Sequence, residues 1–98
     1  MTPKKGRIEV RDLGSGTGVK VKMHNASLVL ILGKKGYVMC GYLNMDAAER
    51  LGDAACMVTG VDTFDDVLSA RIKAVSAKAK ELGISEGMTG EEALELLS

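Results

Sequence analysis

The chain has 98 residues, of which 46% are hydrophobic and only 3% aromatic. A chain of this length forms one domain and buries about two-thirds of the surface that its unfolded form exposes. Its 13 basic and 13 acidic residues give no net charge, so we do not expect the basic surface typical of proteins that bind nucleic acids or anionic membranes. We expect a single domain over residues 1–98, with residues 1–6 as a flexible N-terminal tail.

The first half of the sequence predicts four strands. Apolar and polar residues alternate at 7–11 and 19–24, which is typical of strands with one apolar and one wet face. Glycines in residues 14–18 allow a tight turn between these two strands. Residues 28–32 are apolar at every position, which predicts a central strand covered on both faces. After a glycine-containing turn, residues 37–40 return as its partner, so we expect a four-stranded antiparallel meander.

The second half predicts helices that alternate with strands. Asn44 or Asp46 caps a short helix over residues 46–51, which is followed by a strand at residues 54–58. Because this strand runs parallel to the strand before the helix, the sheet is mixed and the crossover right-handed. A capping-box pattern at Thr63 marks the start of the next helix. The sequence thus predicts an α+β fold with helices packed on a single mixed sheet.

Residues 71–76 are compatible with two different structures. The spacing of the apolar residues allows one helix over residues 63–82. The same residues also suit a short strand, followed by a separate helix over residues 77–82 that Ser76 caps. Periodicity does not distinguish these alternatives. A final helix is marked by the capping-box spacing that begins at Thr89.

Several segments of the chain resemble the YunC-like family of small archaeal and bacillar proteins, a domain family of unknown function. These segments are KGYVMCGYLN at residues 35–44, GVDTFDDVL at 60–68, ELGI at 81–84 and GMTGEEAL at 87–94. The resemblance extends over nearly the whole chain from Ile8 onward. It implies a mixed sheet flanked by helices, with a strand near residues 71–76, and therefore favours the broken helix there. It implies no activity.

Two cysteines lie within apolar segments, and Cys40 is the candidate nucleophile of the chain. It ends a predicted strand, and Asn44 beyond it is positioned either to orient a ligand or to cap a helix. An active thiol needs a base or a positive local field, and the only imidazole, His24, is expected at least two strands away. The favoured alternative is that Cys40 is a buried hydrophobe and His24 a solvent-facing strand residue.

The connection at residues 59–63 is the candidate ligand-binding loop. It joins a strand to a helix, where free N–H groups can bind an anion, and its candidate residues are Thr59, Gly60 and Thr63. Asp62 opposes an anionic ligand, so simple helix capping is favoured. The chain contains no Cys-x-x-Cys or His-x-x-x-His spacing. We therefore predict no metal site and no cofactor.

Two functions are compatible with these patterns. The high apolar fraction of a chain with a small interior favours a non-catalytic interaction or ligand-binding module that self-associates, most simply as a homodimer. The alternative is a small thiol-dependent enzyme or redox-responsive protein that uses Cys40. A secreted domain of this size usually carries several paired cysteines, and no apolar signal segment or bilayer-spanning run is present. We expect a cytoplasmic protein with neither a membrane nor a nucleic acid as its partner.

Overall fold

The computed structural model describes residues 7–98, and these residues form a six-stranded mixed sheet. The tail expected at residues 1–6 lies outside the described residues. The strands lie in chain order across the sheet; the first four pair antiparallel, the fifth is parallel to the fourth, and the sixth is antiparallel to the fifth. They are β1 (Ile8–Asp12), β2 (Thr17–Lys22), β3 (Ser27–Leu32), β4 (Gly36–Met39), β5 (Ala54–Met57) and β6 (Ala74–Val75). The predicted antiparallel meander and mixed sheet are confirmed.

Four helices connect and flank these strands, and each begins at a polar side chain that accepts a hydrogen bond from the first helical turn. Such caps satisfy backbone N–H groups that have no partner within the helix. No helix within residues 7–98 combines the length and apolarity needed to cross a bilayer. The helices are α1 (Met45–Leu51), α2 (Phe64–Ser69), α3 (Ala77–Glu81) and α4 (Gly90–Leu97), with N-caps at Asn44, Thr63, Ser76 and Thr89.

The chain between α2 and α3 forms a strand, so the broken-helix alternative is confirmed and the single helix over residues 63–82 is wrong. Ser76 causes the break. It is fully buried, and its hydroxyl accepts hydrogen bonds from the N–H groups of Ala55 (2.9 Å) and Ala79 (3.3 Å) while donating to the carbonyl of Asp53 (2.8 Å). One side chain therefore joins the edge of the sheet to the start of α3.

Most of the core lies on one face of the sheet, beneath α2, α3 and α4. Alternate residues of the central strands, such as Val29, Ile31 and Cys56, pack there against Phe64 and Leu94. On the opposite face α1 is the only helix that residues 7–98 contribute, and it covers the region of β4 and β5, where Ala48 packs against Met39 and Ala55. The two layers of helices are therefore very unequal.

The prediction that residues 28–32 are covered on both faces is wrong. Val29 and Ile31 are fully buried under the larger helical layer, but Leu32 is 40% exposed and Leu28 and Leu30 are only partly buried. Helix α1 joins the parallel strands β4 and β5 and therefore runs back along them. A single helix about 10 Å wide covers about two strands, since strands lie about 4.8 Å apart, and does not cover β3 as well. One side of this apolar strand consequently remains open.

Replacing Ser76 with alanine should lower the free energy of unfolding by about 3 kcal/mol, because the N–H of Ala55 and the carbonyl of Asp53 would stay buried without their partner. Urea unfolding followed by circular dichroism measures the change. Ser69→Ala is the matched control: its hydroxyl donates to the carbonyl of Asp65 at an exposed position, so its effect should remain within about 0.5 kcal/mol. Equal effects of the two variants would contradict the proposed role of Ser76.

Candidate functional site

One face of the sheet is apolar and largely without a helical cover. Residues paired across antiparallel strands share a face, and the register pairs Val10 with Val19 and Val19 with Leu30. We call the resulting surface the open face; its aliphatic residues in β1–β3 are Ile8, Val10, Val19, Val21, Leu28, Leu30 and Leu32, and Asp12 and Thr17 lie at one end of it. Val10 is 67% exposed and Ile8 48% exposed, so these strands present aliphatic side chains to solvent.

The charged residues in the strands of the β1–β2 hairpin, apart from Asp12 at the end of β1, lie on the other face, towards the helices. The guanidinium of Arg11 lies 5.2 Å from the centre of the Phe64 ring, a cation–π distance. Gly18 lies on this face as well, and a Cβ there would be 2.7 Å from Cε1 of Phe64. These contacts fix the orientation of the hairpin, since a shift of one residue would reverse the face of every side chain. Its apolar side is therefore directed away from the main core.

Helix α1 forms one wall of an apolar groove on the same side of the sheet. The groove has a volume of about 480 Å³ and is lined by Leu30, Leu32, Tyr37, Met39, Tyr42, Leu43, Asn44, Ala47, Ala48 and Leu51. Leu51 and Tyr42 are among its exposed residues. The open face and this groove together form one continuous apolar surface.

Tyr37 lies in this groove with its polar atom already hydrogen-bonded. Its hydroxyl donates to Oδ2 of Asp53 at 2.7 Å. Burial, together with the hydrogen bond and the negative charge of Asp53, raises the pKa of Tyr37 to about 12. The phenol therefore stays neutral around pH 7 and offers the groove an aromatic ring.

A second concave feature lies where the parallel strands β4 and β5 end. We call it the strand-end pocket; its volume is about 330 Å³, and it is lined by Ala26, Ser27, Cys40, Gly41, Tyr42, Gly60 and Val61. Strands that run parallel present their carboxyl ends at the same edge of the sheet, which is where ligands bind in many open α/β sheets. The pocket brings together Cys40 and Gly60, which the sequence had indicated separately.

The structure does not join the three candidate residues for thiol chemistry. Cys40 is 3% exposed, and its sulfur accepts a hydrogen bond from the N–H of Val29 at 3.3 Å. His24 is exposed in the turn between β2 and β3. Asn44 caps α1 by accepting from the N–H of Ala47. No hydrogen bond within residues 7–98 connects Cys40 with His24 or Asn44, so the geometry supplies Cys40 with no base.

The N–H groups at the start of α2 are already hydrogen-bonded to side chains of the same segment. Oδ2 of Asp66 accepts from the N–H groups of Asp62 (3.0 Å) and Thr63 (3.1 Å), while the hydroxyl of Thr63 accepts from the N–H of Asp66. The hydrogen bond from Asp62 is the main cause that lowers the pKa of the Asp66 carboxyl. Of the loop candidates, Gly60 lines the strand-end pocket, and neither Thr59 nor Thr63 is among its lining residues.

Sequence patterns did not indicate Ser27, which also lines this pocket. It is the first residue of β3 and only 3% exposed, and no motif surrounds it. No group of three or more potential metal-binding side chains occurs among residues 7–98. The candidate sites are therefore the open face with its groove, and the strand-end pocket.

The fold and these surfaces define a small α+β protein built on one mixed sheet with a single well-covered face. The chain belongs to the YunC-like family, because residues 39–97 match the family described as a domain of unknown function, DUF1805. It is 35% identical over 82 residues to the uncharacterized protein YunC of Bacillus subtilis (strain 168), covering 80% of this chain and 81% of that protein. The resemblance predicted from the sequence is confirmed.

A solved structure has the same fold. The crystal structure of a protein of unknown function, TA1206 from Thermoplasma acidophilum, matches with a TM-score of 0.84 at 36% sequence identity. The match covers 99% of this chain and 100% of that chain. Because it extends over the whole sheet, the related protein shares the overall arrangement of strands and helices.

Both thiols should react slowly with iodoacetamide while the protein is folded. Burial raises the pKa of the Cys56 thiol from 9.0 to about 12, which lowers its thiolate fraction about a thousandfold at neutral pH. The variants Cys40→Ala and Cys56→Ala isolate each thiol, and mass spectrometry measures the rates with and without urea. If folded Cys40 reacted faster than free glutathione, the thiol-dependent alternative would be favoured.

Proposed function

We propose that this protein is a non-catalytic module that associates with a second copy of itself through the open face. The observation that carries the proposal is the orientation of the β1–β2 hairpin, which places its aliphatic side chains on the solvent side and its charged ones, except Asp12 at the end of β1, on the side of α2. An antiparallel sheet with one solvated face normally shows the opposite arrangement. Large exposed apolar patches on folded chains mark surfaces that bind another molecule.

The chemistry of the open face suits an identical partner. The residues that β1–β3 contribute to it are aliphatic except at one end, where Asp12 and Thr17 pair beside Leu32 and the Asp12 carboxylate accepts from the N–H of Gly14. Two copies related by a two-fold axis can therefore bring aliphatic side chains together while both carboxylates stay at the rim. A two-fold interface uses the same patch on both copies. Two sheets stacked in this way pack about 10 Å apart, with their side chains interdigitating. A partner with a charged surface would instead lose hydration without gaining ion pairs.

The size of the face is also adequate for a homodimer. Adjacent strands lie about 4.8 Å apart and each residue advances a strand by about 3.3 Å, so the residues of β1–β4 cover roughly 330 Å² in projection. The accessible area is larger than this projection because the side chains protrude, and Tyr42 and Leu51 extend it beside α1. A stable interface buries upward of about 600 Å² per partner, which is within reach of this surface.

The proposal includes a cytoplasmic location. Cys40 and Cys56 are both free and buried, as is usual for proteins of a reducing compartment. The absence of net charge is also in keeping with a partner of the same chain, since neutral copies do not repel one another over long distances.

Val10→Asp should convert the homodimer into a monomer. An unpaired carboxylate in the centre of a desolvated interface is costly, so the dissociation constant should rise by more than about a hundredfold. Size-exclusion chromatography with light scattering, carried out over a dilution series, measures the mass of both proteins.

The matched control is Lys22→Asp, which places the same carboxylate on the neighbouring strand, on the face directed towards the helices. It should leave the mass unchanged. A monomeric wild-type protein at micromolar concentration would contradict the proposal. So would a Val10→Asp variant that keeps the wild-type mass and dissociation constant.

A further inference from the structure

We propose that the strand-end pocket is a binding site for a small uncharged molecule, which it holds through a carbonyl oxygen. The site is separate from the surface proposed for self-association. Ser27 is on the same face of β3 as Val29 and Ile31, the face that the larger helical layer covers. Tyr42 is the single residue shared with the lining of the apolar groove.

The hydroxyl of Ser27 is the first indication of a ligand. Ser27 is 97% buried, since only 3% of it is exposed, yet its hydroxyl forms no hydrogen bond with any of residues 7–98. The oxygen is not sealed in the interior, because the described residues contain no fully enclosed side-chain N or O atom without a partner. It is therefore open to the pocket that Ser27 lines. Water in the pocket can bond this hydroxyl in the free protein, and the acceptor of a bound molecule would take the place of that water.

Cys40 provides a second donor in the same pocket. Its sulfur already accepts the N–H of Val29, so the thiol proton is free to point elsewhere. A thiol is a weak donor, and its burial makes it a fixed part of the wall. In this role Cys40 touches a ligand without reacting with it.

The two glycines of the pocket add backbone donors. The N–H groups of Gly41 and Gly60 have no acceptor among residues 7–98. A Cβ at Gly60 would meet nothing within 4 Å, and one at Gly41 would meet the methyl group of Thr59 at 3.8 Å. Close packing therefore does not explain the glycine at either position; at position 60 the left-handed φ of 70° itself favours glycine, and only Gly41 is left without a conformational reason. Glycine leaves the backbone open to close approach by a ligand.

The donors of the pocket determine the chemical class of the ligand. The two N–H groups can only donate, the hydroxyl and the thiol can also donate, and no charged side chain among residues 7–98 lines the pocket. A carboxylate would therefore be desolvated without a counter-ion, and Asp62, next to Val61, adds an unfavourable negative charge. A neutral carbonyl oxygen has two lone pairs and accepts from two of these donors at once, while Ala26 and Val61 line the pocket beside the apolar remainder. The volume of about 330 Å³ limits the ligand to a small molecule.

The test uses N-methylacetamide as a neutral carbonyl probe and acetate as a charged one of similar size. Two-dimensional ¹H–¹⁵N NMR spectra of the full chain should show saturable shifts at the amides of Gly41 and Gly60 with N-methylacetamide. Acetate should bind at least about tenfold more weakly, because its charge is not compensated. Shifts that stay linear in the concentration of N-methylacetamide, or tighter binding of acetate, would overturn the proposal.

Two variants identify the pocket as the site. Ser27→Ala should weaken binding of N-methylacetamide about fivefold, as expected for the loss of one hydrogen bond. Ser85→Ala, at an exposed serine outside the pocket, is the control and should bind like the wild type. Ala26→Leu, at an exposed turn position on the pocket rim, should abolish binding by filling the cavity without disturbing the core. Unchanged binding by both pocket variants would overturn the proposal.

Discussion

The contact between the Phe64 ring and Gly18 determines much of what this structure presents to its surroundings. The ring occupies the space where a side chain of β2 would otherwise lie, and Arg11 lies over it. Because side chains alternate along a strand, fixing Gly18 and Arg11 towards α2 turns Val10 and Val19 to the opposite side. The open face is thus a consequence of one aromatic packing contact. Helix α1 covers β4 and β5 alone, so this apolar surface has no helix over it within residues 7–98.

The crossover through α1 has a different consequence, at the end of the sheet. It makes β5 parallel to β4, so both strands finish at the same edge and their following loops meet there. Gly41 and Gly60 thereby become neighbours of one cavity, although 18 residues separate them in the sequence. Ser27 enters the same cavity from the antiparallel neighbour of β4. Two surfaces of different character, one broad and apolar and one small and rich in donors, therefore coexist on a chain with a single sheet.

The sequence predicted where helices and strands occur better than it predicted which faces of the sheet the helices cover. Polar caps such as Thr63 and Thr89 marked their helices because a short side chain that satisfies the first N–H groups is a local requirement. Alternation marked β1 and β2 as well, but alternation does not reveal which side faces the core. The continuous apolar run at residues 28–32 predicted two covered faces, since sequence carries no measure of how far α1 extends. Cys40 and Gly60 were noticed singly, whereas Ser27 becomes notable only through its burial and its missing partner, which depend on tertiary structure.

Strand β1 is an edge strand, and its unpaired edge limits how copies of this chain can assemble. Along it Glu9 and Arg11 form an ion pair, and charged side chains on a border strand discourage the addition of another strand by backbone pairing. Face-to-face stacking through the open face, by contrast, covers the apolar surface of both molecules, so no apolar surface is left for a third copy. The charged edge strand and the single apolar face together permit a closed dimer and disfavour an open-ended assembly. A chain that exposes this much aliphatic surface is thereby protected against fibre formation.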